Sequence, residues 1–197
     1  MSRVKSRSMV FDHSTSAQGE TSRLGDKGGG WKVYEGSVGY NESMDVREKL
    51  LEMEKSGKYM FHGSPDEIKI LEPRQPYSFD KKLEKMVEDG GPAVAGTPYA
   101  DVAIFRAIVN RKNVPEHYWS GFGYDPDNKM LHFEVSRDTY KQIGDKFGYV
   151  HVLNKKDFRP KDPQNLEGMD WRSEKVLQPM QVIKVSSEDL PKNIQIK

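Results

Sequence analysis

The chain has 197 residues, and its 31 Lys and Arg against 30 Asp and Glu leave a formal net charge of +1, which excludes a nucleic-acid coat or an acidic tail acting through bulk charge. Cysteine is absent, so a disulfide scaffold, a thiolate zinc site and a cysteine nucleophile are excluded as well. Apolar residues make up 35% and charged residues 31%, a polar balance that leaves part of the chain outside any core, while the length suits one domain.

Residues 1–43 read as a flexible N-terminal tail. Up to Gly28-Gly29-Gly30 the sizeable apolar side chains are Val4, Met9, Val10, Phe11 and Leu24, too few to offset the entropy of ordering the segment. The start Met1-Ser2-Arg3-Val4-Lys5 lacks the apolar core of a secretory signal. The run Gly25 to Lys32 lacks the Gly-Lys-Ser/Thr ending of a phosphate loop and reads as linker. The apolar stretches Val102 to Val109 and Val176 to Val185 are broken by Arg106 and by Gln178, Gln181 and Lys184. Neither approaches the roughly 20 residues of a bilayer span, so a soluble cytoplasmic protein without a membrane partner is expected.

Residues 44–197 carry the periodic patterns. From Met44, Val46, Leu50, Leu51 and Met53 share a helical face, Asp45 caps the start and Gly57 ends it. Tyr59-Met60-Phe61-His62 reads as a strand broken at Gly63-Ser64-Pro65-Asp66, with a second extended piece at Ile68 and Ile70. Phe79 to Glu88 reads as a charged surface helix, Ala93-Val94-Ala95-Gly96 as a buried strand, and Thr97-Pro98 as the start of a helix from Tyr99 to Val109. Met130 to Val135 alternates as a strand, Arg137 to Ile143 is a short helix, and Tyr149 to Leu153 is a further strand. After a loop at 159–170, Trp171 to Val185 reads as two strands or one bent at Pro179. This order predicts an α+β domain without internal repeats.

None of the five histidines, His13, His62, His117, His132 and His151, lies in a His-Glu-x-x-His helix, and no carboxylate cluster has calcium-loop spacing, so no metal is expected. Gly121-Phe122-Gly123 lacks the third glycine of a dinucleotide fingerprint. Three pieces remain. His62-Gly63-Ser64 combines directed hydrogen-bonding groups with a glycine that admits close approach of a ligand. Ala95-Gly96-Thr97-Pro98-Tyr99, running on to Phe105, places aromatics at a strand-to-helix turn. Arg172-Ser173-Glu174-Lys175-Val176-Leu177-Gln178-Pro179 sets a carboxylate at the start of an apolar strand.

In this order, over about residues 58 to 190, the three pieces resemble the ADP-ribosyltransferase superfamily, and Glu174-Lys175-Val176-Leu177-Gln178-Pro179 is similar to the Glu-bearing strand of its mono-ADP-ribosyltransferases. The resemblance implies a split two-sheet core with flanking helices, NAD as co-substrate, and transfer of ADP-ribose to a protein or nucleic-acid acceptor. It implies that His62 bonds the adenosine-side ribose, supported by Ser64, and that the Gly63 backbone holds the nicotinamide carboxamide. Tyr99 or Phe105 would stack on the nicotinamide, Thr97 would line the pocket floor, and Glu174 would be catalytic. That last role has a physical basis, because a fixed anion stabilises the oxocarbenium-like sugar as the glycosidic bond breaks.

Arg172 stands two residues before Glu174, where many arginine- and Rho-directed members carry Glu or Gln, which argues against those acceptor chemistries. Asp170 is a second acidic candidate. Arg74 has the guanidinium fork that suits the NAD pyrophosphate, and Arg106 is a lesser choice. Lys155, Lys156, Arg159 and Lys161 form a small basic stretch open to a nucleic-acid acceptor or to solvent. Two alternatives stand beside the transferase: an RNA 2′-phosphotransferase-like enzyme that relies on arginines, and a non-catalytic nucleotide-binding or interaction module of the same fold. Toxin, defence and housekeeping roles are all compatible with these residues.

Overall fold

The Asp45 carboxylate accepts the Arg47 N–H at 3.2 Å and starts α1, Val46–Lys55, which buries Leu50 and Met53. The helix stops where Gly57 turns left-handed at φ 67°, its N–H bonding the Glu54 carbonyl. The computed structural model describes residues 45–197 apart from Lys81, Pro126 and Leu166. The expected tail, its glycine run and the boundary at 43/44 lie outside the described residues.

The strand expected after α1 forms as β1, Tyr59–Ser64. The helix expected over Phe79 to Glu88 is instead a hairpin, β2 (Tyr77–Asp80) paired with β3 (Lys85–Glu88). Its turn explains the difference: Asp80 Oδ1 accepts the Lys82 and Leu83 N–H groups at 2.7 and 3.1 Å, and Glu84 sits at φ 49°. An Asx turn thus outcompetes a helix whose charged pattern has no apolar face to bury. The Ile68–Ile70 piece forms no strand, although Leu71 bridges Leu177.

Strand β4 (Val94–Gly96) leads into α2 (Ala100–Ile108). Next come β5 (Ser120–Asp125), β6 (Met130–Val135), α3 (Arg137–Gln142) and β7 (Phe147–Asn154). The chain then forms β8 (Arg159–Pro160), β9 (Trp171–Ser173), β10 (Gln181–Ser186) and β11 (Ile194–Ile196). The architecture is α+β. One antiparallel sheet has the order β1-β7-β10 and a second β4-β9-β8, while β5-β6-β11 ends in the parallel pair β6–β11. The first two sheets meet at one bridge, Phe61 with Thr97, where each N–H bonds the other's carbonyl at 2.8 and 2.9 Å.

Helix α2 is apolar on nearly all sides and fully buried over Val102–Phe105, so it needs cover all round. It lies on the face of the β1-β7-β10 sheet that carries Phe61, Val150, Val152, Ile183 and Val185. Two glycines let it come close. A Cβ at Gly63 would stand 2.0 Å from the Ala103 carbonyl oxygen, and one at Gly148 2.1 Å from that of Ala107. The opposite face of the sheet packs Met60 and Leu153 into a smaller cluster with Leu71, Val94, Phe158, Trp171 and Leu177. Alternation along β1 therefore puts Met60, His62 and Ser64 on the face away from α2.

Candidate functional site

The site is organised along β4. Thr97 N–H and C=O bond β1, and antiparallel geometry sends alternate residues' polar groups to the same edge, so Ala95 and Ala93 also face that way. Continuing the bridge by two residues would pair Gly63 with Ala95. Instead β1 turns off, and the Ala95 carbonyl is met at 2.8 Å by His62 Nδ1. A carbonyl only accepts, so Nδ1 carries the proton. Two residues on, Ala93 exchanges backbone bonds with Arg74 at 2.9 and 3.2 Å. Phe61, the His62 imidazole and Arg74 thus follow one another down one edge of β4. The other edge is the β9 ladder, Gly96 with Trp171, Ala95 with Arg172 and Val94 with Ser173, and Glu174 follows at once.

The Phe61 bridge also fixes the direction of the Gly63 backbone. Phe61 uses both its polar groups toward β4, so Gly63, two residues along, points its N–H and C=O to that same edge, past the place where β4 leaves. The face of Gly63 that carries no side chain is not open to a ligand, since the Ala103 carbonyl occupies it. The glycine is needed for helix packing; only its edge groups face the gap.

The three expected pieces therefore come together in part. His62, Thr97, Arg74 and the β9 end are all neighbours of β4. Thr97 is buried, its hydroxyl accepting the Tyr99 N–H at 3.3 Å. Ser64 is buried as well, its hydroxyl accepting the Asp66 N–H at 3.1 Å. Arg74 is exposed, and no carboxylate pairs with it among the described residues. Glu174 is exposed, and among the described residues no hydrogen bond orients it.

Phe105 is not a stacking residue. It is 1% exposed and packs against Phe133 and Phe122 with ring centroids 5.1 and 6.0 Å away. The other candidate aromatic, Tyr99, is half-buried and stacked on Tyr124 with ring centroids 5.7 Å apart, its hydroxyl donating to the Glu167 carbonyl at 2.8 Å. Burial, with Tyr124, Glu167 and Glu54 nearby, pushes the Tyr99 phenol up to about 12, so it serves as a neutral ring and donor. The start of α2 is already satisfied. A Glu54 carboxylate oxygen accepts the Ala100 N–H at 2.6 Å and takes the place a phosphate would use. Arg106, half-buried on α2, is pushed down by burial, with Asp170 and Tyr118 opposing that.

Asp170 is not a free catalytic anion. Arg172 Nη2 lies 3.2 Å from Asp170 and 2.8 Å from Asp89, and Lys161 completes the network with both. Burial pushes Asp89 up, but the hydrogen bonds from Lys161 and Arg172 outweigh it and hold the carboxyl below its ordinary value. Arg172 thus clamps the strand end rather than the acceptor. Sequence reasoning also missed His151, which lies fully buried beneath His62, ring centroids 5.7 Å apart. Its Nδ1 donates to the His62 carbonyl at 3.1 Å and its Nε2 accepts the Ile68 N–H at 2.8 Å. Burial pushes its pKa down, against the His62 carbonyl and Glu67.

Among the described residues no group of three or more His, Asp and Glu could hold a metal, and no helix is long and apolar enough to cross a membrane. Comparisons with protein-family models, with curated proteins and with solved structures found no match to this chain.

Proposed function

We propose that the chain is an NAD-dependent ADP-ribosyltransferase that seats the nicotinamide end of NAD where β1 and β4 part. One observation carries the reading: the His62 ring stands in for the missing backbone pair, leaving Gly63 N–H and C=O toward the gap. One donor beside one acceptor is the match for a carboxamide. The Nδ1–H bond to Ala95 fixes the orientation of the ring that contacts the ribose. Tyr99 supplies the aromatic wall, Thr97 the floor, and the Arg74 guanidinium the partner for the pyrophosphate. Glu174, just past the β9 ladder on the other edge of β4, faces the sugar as it loses nicotinamide. An exposed carboxylate acts weakly through water, so its effect depends on bound NAD excluding solvent.

The test is incubation with labelled NAD and a cell lysate, following nicotinamide release and then digesting the labelled product with protease or nuclease to identify the acceptor. Glu174→Gln should retain NAD binding and lose roughly 10²-fold or more in release. Release at the wild-type rate would remove Glu174 from the mechanism. One observation favours a second reading, an NAD-dependent RNA 2′-phosphotransferase: among the described residues Arg74 has no carboxylate partner and no hydrogen bond orients Glu174. Activity lost in Arg74→Ala but kept in Glu174→Gln would select it, and NAD binding without release would select a non-catalytic module.

A further inference from the structure

The other end of β1 carries a second surface. A groove of about 520 Å³ is lined by Lys58, Tyr59, Asn154, Lys155, Lys156 and Met180 with Gly57, where β1 begins, β7 ends and the chain approaches β10. A volume of that size takes a nucleotide-sized group. No carboxylate lines it, and none pairs with Lys58, Lys155 or Lys156 among the described residues. Asn154 adds a donor: its Oδ1 accepts the Lys156 N–H at 3.0 Å, and its amide NH₂ is a donor group of the groove lining. The Lys155 ammonium is held 5.1 Å over the Trp171 ring.

The opposing charges are smaller. The α1 C-terminus nearby contributes roughly half a negative charge. Asp157, next to Lys156, is taken up by Lys175 at 2.9 Å. Three ammonium groups and an amide donor therefore meet a ligand rich in acceptors. The Tyr59 ring and the Met180 thioether beside them supply an apolar wall. Phosphates against lysines and an unstacked base against an aromatic wall describe single-stranded nucleic acid. A duplex offers the phosphates but keeps its bases stacked.

The geometry points to this groove as a binding site for single-stranded nucleic acid, contacting about three phosphates through Lys58, Lys155 and Lys156. It depends on no step of the ADP-ribosyltransferase reading. With a whole-chain net charge of +1, bulk attraction does not supply the affinity, so it must be local.

The test is fluorescence anisotropy of a dye-labelled short RNA strand with the full chain at low salt. Saturable binding is expected, with log K falling against log salt at a slope of about −2 for three phosphates on a single strand. The double variant Lys58→Ala/Lys156→Ala, both exposed and outside the core, should melt like wild type, bind at least about 10-fold more weakly and flatten the slope to about −0.7. Adenosine monophosphate and a duplex of equal length should compete poorly. Absence of saturable binding, undiminished binding by the double variant, or equal competition by the nucleotide or the duplex would overturn the proposal. Nicotinamide release, measured on the same samples, reports on the catalytic reading separately.

Discussion

Gly63→Ala is the most informative single substitution, because it separates a packing role from a ligand-approach role. The added Cβ would stand 2.0 Å from the Ala103 oxygen and 2.9 Å from the Ala107 nitrogen, the two ends of one α2 backbone hydrogen bond. Normal contact needs about 1.5 Å more, and the obstacle is helix backbone that cannot swing aside. Helix α2 must lift off the sheet or β1 must bend away, disturbing the packing of Phe61, Ala103 and Ala107. Overpacking of a core costs about 1–3 kcal/mol, occasionally more, and a backbone obstacle places this case at about 3 kcal/mol or above. For a chain of this length that is a fall in Tm of about 6–12 °C. The assay is thermal and urea unfolding of Gly63→Ala beside Gly148→Ala, whose Cβ would stand 2.1 Å from the Ala107 oxygen. Gly57→Ala serves as contrast, since its Cβ meets open space and only the φ of 67° is strained. A Gly63→Ala protein that melts like wild type would refute the reasoning, because it would mean that α2 does not rest on β1 at that point.

Other outcomes follow from the same packing and charges. Phe105→Ala should destabilise by about 3–5 kcal/mol while leaving any Michaelis constant for NAD unchanged in the folded fraction; a raised constant at full stability would return the ring to the site. The folded protein holds His151 neutral below the pH at which the unfolded chain takes up its proton, so unfolding binds a proton. Stability should be full above about pH 6.5 and fall by up to ~1.4 kcal/mol per pH unit below it, until the lower folded-state pKa is reached. His151→Gln should flatten that part of the profile in urea titrations from about pH 4 to about pH 7, and an unchanged slope would contradict the assignment. Arg172→Ala leaves Asp89 and Asp170 facing each other without the guanidinium. With both partners only partly buried the loss should be about 1–2 kcal/mol by urea unfolding, and no loss would show that Lys161 alone suffices.

Much of the fold is legible because local pattern and burial agree. Asp45 and Gly57 mark the ends of α1, and the alternation of Met130 to Val135 is β6 as it stands. The hairpin at Tyr77–Glu88 was hidden because its charges fit a helical surface equally well, and only the Asp80 turn decides between them. Strand β5 was obscured by its glycines, since Gly123 carries no side chain and the His132 ring fills the space instead. At the candidate site, His62, Thr97 and Arg74 could be singled out in the sequence, and the structure places all three along β4. The side of Gly63 that lacks a side chain is filled by α2 rather than left open, and the sequence could not show this, because a glycine that admits a helix and one that admits a ligand look alike in it. Phe105 was misread for a similar reason, as an aromatic on a helix that is buried all round has no face the sequence can point outward. The buried His151 and the Asp89–Arg172 clamp join positions far apart in the chain, and no local signal announces such pairs.

The central claim is that NAD meets the free edge of β1 at Gly63, and the amide of that residue reports on it directly. In a titration of the isotope-labelled full chain with NAD, followed by amide chemical shifts and hydrogen exchange, the Gly63 N–H should shift and gain protection together with His62 and Tyr99. A titration that saturates with those three signals unmoved, or that leaves every amide where it was, would contradict the account.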